Sequence, residues 1–114
     1  MEITIRNEGS ATILHCKGRI DILSREILQR KVEEIVKQGT GPILLCLKEV
    51  DFITSAGLGC LVTCLKLCRL ANRRFVLTDL ASYIQEMMEI TQLSAIFEIA
   101  QDEKAALERI AALP

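Results

Sequence analysis

The chain has 114 residues, with 14 basic and 15 acidic side chains and a formal charge of −1. Half of it is apolar and a quarter is charged, which suits one folded domain over residues 1–114 and excludes a disordered chain. Neither half is rich in one sign of charge, which argues against nucleic acid as the main partner, since phosphate binding needs a concentrated basic face.

In chain order, residues 2–6 alternate, with Ile3 and Ile5 on one face. Asn7-Glu8-Gly9-Ser10 carries turn chemistry, and strand-like residues resume over 11–17. A β-hairpin with a four-residue connection is expected, ending where Gly18 breaks the run. Asp21 is placed to cap a helix in which Ile27, Leu28, Val32, Ile35 and Val36 recur at helical spacing, and Gly39 closes it. Residues 43–47, Ile-Leu-Leu-Cys-Leu, form a continuous apolar run, as a central strand buried on both faces should. Residues 48–54 read as a loop leading to Ser55, which is positioned to cap the next helix. That helix carries a stripe of Leu58, Leu61, Val62 and Leu65 and closes near Asn72.

Residues 74–78 read as a short strand. Ser82 and Gln85 match a capping box, ahead of a helix with Ile84, Met87 and Met88 on its apolar side. Residues 95–100 suggest an edge strand, and 102–113 a last amphipathic helix with Leu107 and Ile110 inward. The order predicts an α/β layer fold: a mixed sheet with about four helices packed on it. The most apolar stretch, 58–68, is short and contains Lys66, so it suggests a buried helix and no membrane insertion.

Five cysteines cannot all pair with one another. With no basic-then-apolar leader after Met1, they point to the reducing cytoplasm. Cys60, Cys64 and Cys68 share one helix face, yet no CxxC knuckle or fourth ligand accompanies them. They and Cys46 are expected to be buried core residues that bind no metal. His15, the single histidine, adjoins Cys16 on a strand where the two point to opposite faces. Its spacing to Ser or Cys suggests no catalytic pair. Gly39-Thr40-Gly41 lacks the lysine of a phosphate-binding loop and follows a helix, so it is a turn. No catalytic residue, metal or cofactor is expected.

The remaining feature is the segment from Asp51 through Phe52, Ile53, Thr54, Ser55, Ala56, Gly57 and Leu58 to Gly59. Two glycines in a first helical turn cost ~1 kcal/mol each relative to Ala, which suggests that something must approach closely there. Phe52-Ile53-Thr54-Ser55-Ala56-Gly57-Leu58-Gly59 resembles the signature of STAS domains, named for sulfate transporters and anti-sigma factor antagonists. Gly18-Arg19-Ile20-Asp21 is similar to the end of that family's second strand, and Arg74-Phe75-Val76-Leu77 to the strand after its signature helix. Ile90-Thr91-Gln92-Leu93 followed by Phe97 resembles its tail, with Gln92 where Gly is frequent.

The resemblance implies a non-enzymatic regulator, an anti-sigma factor antagonist whose Ser55 is phosphorylated by a serine kinase that is also the anti-sigma factor. A serine phosphatase is an implied further partner. Many members carry Asp immediately before this Ser. Thr54 stands there instead and is the second candidate acceptor. Asp21 is expected near the phosphorylation loop, and the docking surface is expected over Phe52, Ile53, Thr54, Ser55, Gly57, Leu58 and Gly59. The alternatives are a non-phosphorylated STAS subunit of an ABC transporter ATPase and a small-ligand- or redox-responsive binding module.

Overall fold

Alternating residues at the start of the chain build a hairpin. In a computed structural model, which describes residues 1–112, β1 (Glu2–Glu8) and β2 (Ala11–Ile20) pair antiparallel from Glu2↔Lys17 to Glu8↔Ala11. The connection is Gly9 and Ser10 alone, shorter than the expected four residues, because Asn7 and Glu8 stay in the ladder opposite Thr12 and Ala11. β2 likewise continues past Gly18. That residue sits at φ +115, and the register with the next strand slips between it and Arg19. A glycine in this conformation lets a strand bulge and re-aim without ending.

The chain continues through α1 (Arg25–Val36), β3 (Ile43–Ile53), α2 (Ser55–Leu70), β4 (Phe75–Thr78), α3 (Ser82–Ile90), a 3-10 turn over Leu93–Ala95, β5 (Glu98–Ala100) and α4 (Glu103–Ala112). The strands lie in the order β1-β2-β3-β4-β5, antiparallel in the first pair and parallel in the rest. β3 is therefore central, and residues 43–47 are buried as their unbroken apolarity requires. This is the expected mixed α/β layer fold. It runs further along β3 than expected, since residues 48–53 form strand and not loop. Pairing of Arg19 with Phe52 and Ile20 with Ile53 carries the extension, while Val50 and Ile53 turn inward between exposed neighbours.

Three helices cover one face of the sheet. Leu28 and Val32 of α1, Leu61 and Leu65 of α2 and Ile84 and Met88 of α3 pack on Leu14, Leu45 and Leu77. Among the described residues α4 is the helix that covers the other face. Ala106 is buried against Ala11, Ile13, Leu44 and Val76, with Leu107 and Ile110 half-buried beside it. Asp102 caps α4, its Oδ1 accepting from the Ala105 amide at 2.8 Å. The expected helix end at Leu113 lies outside the described residues.

The cap expected at Ser82 is replaced. No capping box forms at Ser82, because Ala81 occupies the cap position and Gln85 reaches forward to Glu89 instead. Gln92 takes the left-handed conformation at φ +63, which accounts for a preference for Gly at this position. No helix of the described residues is long and apolar enough to cross a membrane.

Candidate functional site: the turn from β3 into α2

The site is built where the ends of two neighbouring strands meet a helix start. Ile53 pairs with Ile20, and the next amide, Thr54, donates to the Ile20 carbonyl at 3.1 Å. Thr54 remains extended (φ −99, ψ 174), and its Oγ1 accepts from the Gly57 amide at 3.1 Å. Thr54 is thus the N-cap in place of Ser55. Its β-branched backbone preference suits the extended cap position, while its hydroxyl satisfies one of the free amides of the first turn.

Ser55 is the first helical residue, and it is exposed. No acidic residue occupies the first turn of α2. The positive end of the helix dipole at Ser55 therefore meets no countercharge from its own helix.

The seven residues expected to form one docking surface separate by burial. Phe52, Ser55 and Gly59 are exposed and Thr54 is half-buried, but Ile53, Gly57 and Leu58 are buried inside the chain. A Cβ on Gly57 would lie 2.1 Å from the Ile20 carbonyl oxygen and 2.7 Å from Ile53 Cγ1. The close approach implied by this glycine is therefore internal: α2 rests directly on the end of β2. Gly59 has open space around its Cα and carries no such constraint.

Asp21 adjoins the site through its neighbour Ile20, the residue that accepts from Thr54. It is not the expected helix cap, because Ser24 precedes α1. Its Oδ1 instead accepts from the Leu23 and Ser24 amides at 3.0 and 3.1 Å and folds the turn between β2 and α1. These donors, the Ser24 amide foremost, hold its carboxyl below the usual range.

Two features escaped the sequence reading. Tyr83, the only tyrosine, spans from α3 to the end of β3. Its hydroxyl accepts from the Ile53 amide at 3.0 Å and donates to the Asp51 carbonyl at 2.8 Å. β4 pairs only with residues 43–46 of β3, so this phenol serves backbone groups that a longer β4 would have paired. Second, the Arg19 guanidinium lies 4.6 Å from the centre of the Phe52 ring. Nearby Ile22, Leu23 and Ile27 are exposed, and a groove of about 480 Å³ runs between Met1, Arg19, Leu23 and Ile27. The one legible signal was the Ile22-Leu23 pair standing in a turn.

All five cysteines are free and buried. Burial pushes Cys16 up to about 12 and Cys68 to about 11, so both remain thiols at neutral pH. Within the α2 row a hydrogen bond from Cys64 lowers Cys60 and raises Cys64 itself.

The model of the STAS domain family matches residues 2–106 of this chain. The chain belongs to the STAS family. The anti-sigma-B factor antagonist of Bacillus subtilis (strain 168) is 23% identical over 108 residues, covering 95% of this chain and 98% of the relative. Among solved structures, one from Thermotoga maritima superposes with a TM-score of 0.88 at 22% identity, covering 96% of this STAS domain and 94% of that chain. The anti-sigma factor antagonist SpoIIAA in its unphosphorylated form gives 0.73 at 14% identity, with 98% and 100% covered. SpoIIAA has also been solved phosphorylated. At these identities the superpositions establish a shared fold.

Proposed function

We propose that this STAS domain is a cytoplasmic anti-sigma factor antagonist, a regulator without catalysis of its own, controlled by phosphorylation of Ser55. The observation that carries the reading is the placement of Ser55: exposed, first in a 16-residue helix, and next to a threonine that already caps it. Adding phosphate there contributes about −1.5 to −2 charges at neutral pH. The helix N-terminus tolerates that charge, since the first amides and the dipole favour an anion. Phosphorylation therefore leaves the fold intact while changing what the surface can dock.

Thr54 is the poorer acceptor. Its hydroxyl is engaged with Gly57, so modifying it removes the cap. Ser55 carries no such duty. The docking surface follows from exposure: Phe52 with Arg19 stacked on it, Ser55, Gly59, and the apolar rim of Ile22, Leu23 and Ile27. The partner is an anti-sigma factor that is also a serine kinase and supplies the ATP, and a serine phosphatase resets the switch. A loss of ~2.7 kcal/mol on phosphorylation weakens binding about a hundredfold, enough to exchange partners. The antagonist relatives favour this reading over a transporter subunit.

The test is incubation with the cognate kinase and ATP followed by peptide mapping. Phosphate on Ser55, abolished in Ser55→Ala, is expected, and Ser55→Ala should bind the partner and resist release. Incorporation that persists in Ser55→Ala, or that maps to Thr54 alone, rejects the assignment.

A further inference from the structure

We propose that the α4 face carries a second, independent site: a zinc-type divalent metal site with His15, Cys46 and Glu103 as its protein ligands. His15 of β2 and Cys46 of β3 are direct register partners, and Cys46 is in turn paired with Thr78 of β4. Paired residues on adjacent strands stand about 4.8 Å apart on the same face of a sheet. The three side chains therefore form one row, and Glu103, the first residue of α4, is laid over it. An imidazole nitrogen, the Cys46 Sγ and a Glu103 carboxylate oxygen lie within 4.8 Å of one another. Zinc binds such atoms at ~2.0–2.3 Å, so they must close to roughly 3.5 Å apart, an adjustment within reach of side-chain rotation. Nitrogen, sulfur and oxygen donors together select zinc and its neighbours over calcium or magnesium.

An independent observation comes from Thr78. It is fully buried, and its hydroxyl finds no oxygen or nitrogen partner among the described residues, only the neighbouring Cys46 sulfur. A buried hydroxyl left with so weak an acceptor calls for an explanation. The Cys46 thiol beside it directs its proton to Asp79 Oδ2, 3.5 Å away, and a thiol is a weak acceptor. A metal-bound thiolate is a full acceptor, so the Thr78 hydroxyl becomes its outer-shell donor. Binding replaces the S–H bond with an S–metal bond and releases the proton to solvent, with no change in oxidation state. Asp79, relieved of the thiol, is a candidate for a fourth ligand.

The remaining contacts are compatible with loading. His15 Nε2 lies 2.9 Å from Glu49 Oε2, the carboxylate–imidazole pairing that orients metal-binding histidines, and Arg6 donates to Glu103 at 2.6 Å. A groove of about 450 Å³ lined by Arg6, Lys48, Asp79 and Lys104 connects the row with solvent. The sequence suggested no metal because its ligands are far apart in the chain and come together only through strand pairing and the packing of α4.

The test is titration of the reduced full-length chain with Co²⁺ as a spectroscopic stand-in for zinc. One equivalent, with thiolate-to-metal charge-transfer absorption and the visible bands of a four-coordinate ion, is expected. Cys46→Ser should abolish the charge-transfer absorption, and His15→Gln or Glu103→Gln should weaken uptake at least tenfold. Thr78→Val, close in shape to the native residue, should weaken it ~10-fold through the lost outer-shell hydrogen bond. Circular dichroism establishes that each variant is folded. Absence of stoichiometric uptake by the parent chain overturns the proposal. So does charge-transfer absorption that survives in folded Cys46→Ser, which would belong to Cys60, Cys64 and Cys68.

Discussion

The two faces of the sheet are held by different forces. On one, α1, α2 and α3 bury a continuous aliphatic layer from Leu14 to Met88. On the other, α4 buries only Ala106 fully and is fastened at its ends by charge: Arg6 to Glu103 at 2.6 Å, and Arg109 to Glu98 at 3.4 Å. Apolar burial stabilises in proportion to area and resists salt, whereas exposed ion pairs contribute ~0.2–1 kcal/mol each and are screened. The proposed phosphorylation site rises from the strongly built face, and the polar row of His15, Cys46 and Thr78 lies under the lightly built one. A chain of this size can carry a charge-based switch and a polar pocket because three helices on one side already secure the fold.

The largest effect should come from breaking the aliphatic layer. Leu61→Ala, at a fully buried position, is expected to cost ~2–5 kcal/mol in urea unfolding. Leu107→Ala on half-buried α4 should cost less than half as much. Equal costs would show that the two faces are not built differently. Next, Gly57→Ala forces a Cβ against the Ile20 carbonyl and should destabilise by ~1–3 kcal/mol through overpacking. Gly59→Ala, with open space, should instead stabilise by up to ~1 kcal/mol.

A smaller contrast separates the two hydroxyls of the turn. Thr54→Ala should lose ~1 kcal/mol with the cap, and Ser55→Ala should lie within ~0.5 kcal/mol of the parent in the same melts. The reverse order would return the cap to Ser55.

The smallest effect concerns acid. Arg74 donates to Glu98 at 2.7 and 2.6 Å and holds that carboxyl below its ordinary value of 4.5. A depressed folded-state pKa contributes stability that is present above the unfolded value and disappears as pH falls through the folded one. The stability gap between the parent and Glu98→Gln should therefore be constant near neutrality, shrink below about 4.5 and close at lower pH. High salt should narrow the gap at pH 7, while the cost of Leu61→Ala should not change.

What the sequence disclosed follows the same division. Apolar runs and helical periodicity locate the central strand and the three-helix layer, because burial writes its period directly into residue order. Extent was less legible. Residues 48–53 look like a loop on composition, and only the pairing of Arg19 and Ile20 with them makes a strand. The site motif was visible, yet its internal roles were not. Thr54 and Ser55 are both good caps, and the choice depends on backbone angles that composition does not encode. Gly57 was marked as a place of close approach, but nothing in the order of residues says that the approaching group is the chain's own Ile20 carbonyl. The His15–Cys46–Thr78 row was invisible for the same reason: register joins residues that spacing separates.

The position of Tyr83 has a practical consequence. The chain contains no tryptophan and a single tyrosine, and that phenol is hydrogen-bonded to Asp51 and Ile53, the latter two residues before the proposed acceptor. Its tyrosine absorption band in the near ultraviolet and its tyrosine emission therefore arise from one ring fixed to the turn that carries the proposed acceptor. Phosphate on Ser55, a docked partner or loosening of the turn should alter that signal without a label, whereas events confined to the α4 face should leave it unchanged. The native protein thus contains an optical gauge of the turn from β3 into α2.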